Sequence, residues 1–220
     1  MLGTTTIVGL HDFVVEGVLR RFLVRGACAA DLGAGTGELA VRLRGLGCDV
    51  LAVDLNRDGF DADVPFLEQD LNQANFADAV GPGQFDLVTA IEVLEHLESP
   101  IGFLRNVGQL LKPGGAAVLT TPNVDSTPAR LKFLLRGTIR MMDAVSEPTH
   151  ISPVFWDLFV RQYLPRARVE LLEHYLFPEL GYNNTRLRYA WMLHGLSFLL
   201  RGACLYGDNH VFVLGRRRQS

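Results

Sequence analysis

Cysteine is scarce in this sequence: Cys28, Cys48 and Cys204 are the only three in 220 residues, and no two form a C-x-x-C pair. An odd number of widely spaced thiols excludes a disulfide framework and reads as reduced cysteine, with a cytoplasmic location expected. Positive charge is not in excess either. The formal net charge is −3 and the isoelectric point about 6.1, which argues against a general nucleic-acid binder. The terminal "GRRR", Gly215 to Arg218, is too short to reverse that balance and reads as a solvated end. No uninterrupted apolar run reaches the roughly 18 residues that a spanning helix needs. The opening "MLGTTTIVGLHDF" lacks the basic and apolar regions of a signal peptide. There is no internal repeat and no low-complexity linker.

What is present is ordinary globular material, 48% hydrophobic and 20% charged, enough for a sizeable core without a staple. One domain over 1–220 is the economical reading. Apolar residues at Val14, Val15, Val18, Leu19 and Phe22 predict a helix over 11–25. "ACAADLGAG" predicts a buried strand entering a glycine turn. In "GELAVRLRGLG", Leu39, Ala40, Leu43 and Leu46 share a helical face that stops at Gly47. "DVLAVDLN", "VPFLEQDLN", "QFDLVTAI" and "AAVLTTPN" predict four more strands, the second of the chain ending at Asp54. "SPIGFLRNVGQLLKPGG" predicts a helix with Ser99 as N-cap and Pro100 at its first position. Its inward stripe is Ile101, Leu104 and Leu111, and Lys112 with Gly114 marks its end. A further helix is expected in "SPVFWDLFVRQYL", again opened by Ser and Pro, and two closing strands in "ARVELLEHYLF" and "HVFVLG". Strands alternating with helices at short spacing predict an α/β fold: a doubly wound, mostly parallel seven-stranded sheet with helices on both faces. Segments 125–150 and 177–206 break this regularity and are read as substrate-recognition or lid insertions.

The glycine turn "DLGAGTG" poses the functional question. A dinucleotide fingerprint is G-x-G-x-x-G, with the pyrophosphate on the helix N-terminus. Here Gly33, Gly35 and Gly37 alternate, and Glu38 stands where the third glycine belongs. A carboxylate repels pyrophosphate, so the loop suits a ligand whose polar tail is not a phosphate. A tight turn with no ligand explains these residues alone equally well. Spacing favours a ligand. Asp54 ends the second strand about 20 residues on, where an acid accepts from ribose hydroxyls. Asp70, in "EQDLN", closes the third strand, where a carboxylate can accept from an adenine amine.

With "DLGAGTG", "VDLN", "QDLN", "FDLVTAIEVLEHL", "FLRNVGQLLKPGGAAVLTTPN" and "HISPVFWDLF" in this order, the chain resembles the class I S-adenosylmethionine-dependent methyltransferases. The resemblance runs over most of the chain, from the first strand to Phe159. Within the class, it is most similar to the branch of ubiquinone-biosynthesis O-methyltransferases and bacterial small-molecule enzymes. It implies an antiparallel last strand and S-adenosyl-L-methionine as cofactor, with S-adenosyl-L-homocysteine as product. Gly33, Ala34, Gly35 and Gly37 would wrap the methionine, and Asp31 would hold the loop and reach the amino group through water. Asp54 would bind the ribose, with Leu55 beside the adenine. Asp70 and Leu71 would bind the adenine edge, and the Ile91 backbone would face the sulfonium.

Transfer from an activated sulfonium needs chiefly in-line positioning, and a base if the acceptor is a hydroxyl. His96 and His150 are the candidate bases. The function expected is methylation of an oxygen or nitrogen of a small-molecule acceptor. Two alternatives stand beside it. Glu92, Glu95, His96 and His150 also match the outline of a divalent-metal site in RNA 2′-O-methyltransferases, although the acidic balance opposes RNA. A non-catalytic cofactor-binding scaffold would show an eroded glycine loop or lack Asp54, and neither holds. Finally, 187–206 can be written as a helix with one apolar stripe. It is expected to pack on the sheet or roof the acceptor pocket, with peripheral membrane contact the less favoured reading.

Overall fold

The computed structural model describes residues 8–22, 25–142, 147–179 and 204–217. Strands β1 (Cys28–Leu32), β2 (Asp49–Asp54), β3 (Phe66–Glu68), β4 (Phe85–Ala90), β5 (Leu111–Pro122), β6 (Val169–Phe177) and β7 (Asn209–Arg216) form one sheet. Their spatial order is β3-β2-β1-β4-β5-β7-β6. β1 to β5 pair in parallel, whereas β7 runs antiparallel to β5 on one side and to β6 on the other. The expected sheet, antiparallel last strand included, is the one observed.

Alternation along the strands builds two cores. Ala30, Leu32, Val88, Ala90, Phe212 and Leu214 point to one face; Ala29, Leu87, Val211 and Val213 point to the other. The first face is covered by α3 (Phe76–Val80), α4 (Pro100–Leu110) and α6, a continuous helical run of Trp156–Leu158, Phe159–Tyr163 and Leu164–Ala167. The second is covered by α1, built of Leu10–Asp12, Phe13–Val18 and Leu19–Arg21, and by α2 (Glu38–Gly45). Helices on both faces make the sheet doubly wound.

Several boundaries differ from the sequence expectations. α1 ends at Arg21, with a π-helical middle turn, rather than running through 11–25. α4 stops at Leu110 because "LKPGG" already belongs to β5: Phe85 pairs with Leu111, and the register then jumps to Leu87 with Ala116. Its buried side is Phe103, Leu104, Val107 and Leu110, with Ile101 only half-buried. Lys112, rather than ending a helix, pairs with Asp86 at 2.7 Å. Ser152 and Pro153 do not open α6, which begins at Trp156. Ser152 instead donates from its hydroxyl to the Leu97 carbonyl at 2.5 Å, and the Trp156 amide is capped by the Asp125 carboxylate at 2.7 Å.

The segment 125–150 is not wholly irregular. It contains α5 (Thr127–Arg136), with Pro128 in its first turn and Gly137 in the left-handed conformation at its end. The proposed helix over 187–206 falls outside the described residues, apart from its last three. Among the described residues, no helix is long and apolar enough to cross a membrane.

Candidate functional site

The site lies at the carboxyl ends of β1, β2 and β4, where ligands bind in open α/β sheets. The loop from β1 to α2 is held from below: the Gly33 and Ala34 amides donate to the Val53 carbonyl at 2.8 and 3.2 Å. Gly37 is pinned from the side, since a Cβ there would come within 2.4 Å of the Ala62 Cβ. Gly35 is different. It has φ of 54°, and a Cβ on it would meet nothing within 4 Å. Its backbone is thus open to a ligand's approach. Asp54, at the end of β2, accepts the Gly35 amide at 2.7 Å and the Leu55 amide at 2.6 Å. Each carboxylate oxygen retains a second lone pair for hydroxyls.

Asp31 sits in β1 between these groups, fully buried. Its Oδ1 accepts from the Thr89 hydroxyl of β4 at 2.7 Å, and its Oδ2 has no hydrogen-bond partner. Burial, opposed by the Thr89 bond and helped by the nearby Asp54 charge, raises its pKa to about 7 in all. An acid so placed gains most from a cationic neighbour. Glu38 does not present a bare charge to the loop. Its carboxylate lies 2.8 Å from Arg42 and 3.5 Å from His11. The missing third glycine, more than repulsion by Glu38, is therefore what distinguishes this loop from a dinucleotide fingerprint.

Asp70 lies two residues beyond β3, in a turn closed by its own side chain, which accepts the Asn72 amide at 2.8 Å. Leu71 is buried beneath that turn, Leu55 is exposed, and Ile91 follows β4 half-buried. The Asn72 side chain accepts the Glu98 amide at 2.9 Å, tying the β3 turn to the segment after β4.

That segment carries His96, and the chain between α5 and α6 brings His150 to it. His96 and His150 stand edge to face with ring centroids 4.6 Å apart. His96 Nδ1 lies 3.1 Å from the Thr149 carbonyl, and His150 Nδ1 lies 2.6 Å from the Met141 carbonyl. A carbonyl only accepts, so each Nδ1 carries the proton and each Nε2 offers a lone pair when the ring is neutral. Burial, then the neighbouring His150, lowers the pKa of His96 below 6.5. Glu95 is buried beside them with both carboxylate oxygens unpartnered, and burial raises its pKa to about 8. Its backbone carbonyl accepts the Ile151 and Ser152 amides, both at 2.9 Å, which brings His150 to His96.

Of the four residues expected to gather, Glu95, His96 and His150 place one ligand atom each within 4.8 Å of one another. Glu92 is not in that group. Its carboxylate accepts from Asn209 Nδ2 at 2.9 Å, and its amide donates to the Thr120 hydroxyl at 2.9 Å. Its φ of 54° is a left-handed conformation that a non-glycine residue adopts only under constraint.

Thr89, Thr120 and Asn209 hold the candidate residues Asp31 and Glu92 in place and were not singled out from the sequence. Thr89 was legible as a polar residue in the apolar run that follows Asp86 in "DLVTAI". Asn209, brought in by β7 from across the chain, left no local signal.

The chain belongs to the methyltransferase-domain family, whose profile matches residues 11–179. A ubiquinone biosynthesis O-methyltransferase of Burkholderia vietnamiensis is 37% identical over 105 residues, covering 44% of this chain and 45% of that protein. One from Xanthomonas campestris pv. campestris is 31% identical over 149 residues, covering 64% and 61%. The matched stretch thus spans between about half and three fifths of these curated relatives. In structure, the Burkholderia thailandensis 1,6-didemethyltoxoflavin N1-methyltransferase, solved with that compound and S-adenosylhomocysteine, superposes with a TM-score of 0.61. It is 15% identical, over 96% of this chain and 80% of that one, a likeness of fold.

Proposed function

We propose that this protein transfers the methyl group of S-adenosyl-L-methionine to an oxygen or nitrogen of a small-molecule acceptor, releasing S-adenosyl-L-homocysteine. The observation that carries this reading is the junction of Asp54 with the Gly35 backbone beside buried Asp31. One strand-end cluster thereby offers a ribose acceptor, an exposed backbone for the methionine and an acid for its ammonium. Asp70 and Leu71 serve the adenine, and Ile91 lies towards the sulfonium. The family membership and the O-methyltransferase relatives support it.

S-adenosyl-L-methionine held in this cradle would supply an activated methyl group, and the site would position an acceptor for in-line transfer at about 3–3.5 Å. The proton of a hydroxyl acceptor passes to Nε2 of His96 or His150. The single domain supplies the acceptor contacts from 125–150 and 177–206. A screen of purified protein with cofactor against metabolite extracts, reading a one-methyl mass gain, tests the proposal. No methylated product, together with no cofactor binding, overturns it.

A second reading is favoured by one feature: the unpartnered, buried oxygens of Glu95 beside two Nε2 lone pairs. Glu95, His96 and His150 could hold a divalent cation that orients the acceptor oxygen, as in the RNA 2′-O-methylation alternative. The acidic balance of the chain opposes an RNA acceptor. Activity that survives exhaustive chelation removes this reading and leaves the histidine-assisted one.

A further inference from the structure

Apart from the cofactor cradle, β6 and β7 carry a second set of ligand-type side chains. His174 of β6 and His210 of β7 share the face of the first core, with His174 Nε2 3.0 Å from His210 Nδ1. Cys204 lies in the chain entering β7. One ring nitrogen from each histidine and the Cys204 sulfur all lie within 4.8 Å of one another. We propose that His174, Cys204 and His210 form a binding site for one zinc ion, separate from Glu95, His96 and His150.

The cluster carries an incomplete polar set. His210 is fully buried, and its Nε2 has no hydrogen-bond partner while Nδ1 faces His174. A buried, unsatisfied nitrogen is costly, and a metal ion is one partner that removes such a cost.

Position is enforced on every side. The Trp156 ring lies over His174 with centroids 4.2 Å apart, and Phe212 lies against both histidines. Cys204 has φ of 62°, a conformation that L-residues avoid, and its carbonyl accepts from Asn123 Nδ2 at 2.9 Å. Asn123 also holds the Tyr206 and Gly207 carbonyls, at 2.8 and 3.2 Å. The loop is thus fastened to the end of β5 in the arrangement that brings its thiol to the histidines.

Two imidazoles and one thiol form a nitrogen–sulfur set suited to zinc, with a fourth position for water. Zinc bonds of about 2.0–2.3 Å to such ligands correspond to ligand separations of roughly 3.3–3.7 Å, which small side-chain rotations reach from here. On binding, the thiol gives its proton to solvent and the sulfur lone pair forms the bond to the metal. The ion would clamp the chain before β7 onto β6.

Cobalt(II) titration of the chelator-stripped full chain tests this. The expected result is a thiolate-to-cobalt charge-transfer band saturating at one equivalent and displaced by zinc. Cys204→Ser should abolish the band and Cys28→Ser should leave it intact. No such band, or one surviving in Cys204→Ser, overturns the proposal. The Glu95, His96 and His150 group has no sulfur and cannot produce it. Should Cys204→Ser fail to fold, the wild-type protein supplies the decision. One equivalent of zinc should slow alkylation of Cys204 by about tenfold or more, with Cys28 as internal reference. Equal alkylation with and without zinc overturns the site.

Discussion

The carboxylate of Asp54 accepts the amide of Gly35 at 2.7 Å, so the acid assigned to the ribose also fixes the loop assigned to the methionine. Two strand ends are coupled through one side chain. Asp54→Ala therefore removes two things at once: the hydroxyl acceptors and the tether on the glycine turn. The expected loss in S-adenosylmethionine affinity is about a hundredfold, on the order of 3 kcal/mol, read by titration calorimetry. Wild-type affinity in that variant would show the ribose assignment to be wrong.

Asp31 should make stability depend on pH in a defined window. Its pKa is about 7 when folded and near 3.8 in an unfolded chain. The folded protein therefore keeps a proton that the unfolded chain has released, and stability falls as pH rises between these values. The decline attributable to Asp31 is on the order of 4 kcal/mol, and Asp31→Asn should flatten it in denaturant melts taken across the window. A cofactor ammonium beside Asp31 favours the carboxylate, so binding below pH 7 should expel a proton. Calorimetry in buffers of different ionisation enthalpy reads that proton directly, and Asp31→Asn should show none.

The histidine pair predicts an acid limb. His96 lies below its ordinary 6.5, so its base form persists into mildly acidic solution and kcat/KM should begin to fall only beneath that value. If His96 or His150 is the base proposed above, its replacement by alanine should reduce kcat by about 10²–10⁴-fold. Full activity in both His96→Ala and His150→Ala removes the base from the mechanism.

The strand ends were legible because each joins an apolar run to a single acid or glycine, a pattern set by local chemistry. Asp31, Asp54 and Gly35 meet where that pattern places them. α5 was not legible as a helix, since Phe133, Leu134 and Leu135 are exposed and its sequence shows no single buried stripe. Its cap signals, Pro128 and Gly137, were present but embedded among arginines. The start of α6 was misplaced for a different reason. Its cap is Asp125, a residue far earlier in the chain, while Ser152 is spent on Leu97. Long-range partners of this kind, like Asn209 for Glu92, leave no mark in a local window.

Gly35 and Gly37 offer a contrast that separates folding from binding. Both have positive φ, 54° and 86°. Alanine at Gly37 would drive its Cβ to 2.4 Å from Ala62 and 2.8 Å from the Phe60 ring, so the loop must shift. Gly37→Ala should lower the melting temperature and cofactor affinity together. Alanine at Gly35 meets open space and costs only the strain of the left-handed conformation, about 1–2 kcal/mol. Its methyl group nevertheless projects from the backbone that the methionine moiety would approach. Gly35→Ala should thus melt only a few degrees below wild type yet bind S-adenosylmethionine at least tenfold more weakly, about 1.4 kcal/mol. Thermal melts run beside titrations on both variants measure the contrast. A Gly35→Ala protein with undiminished affinity places the cofactor elsewhere.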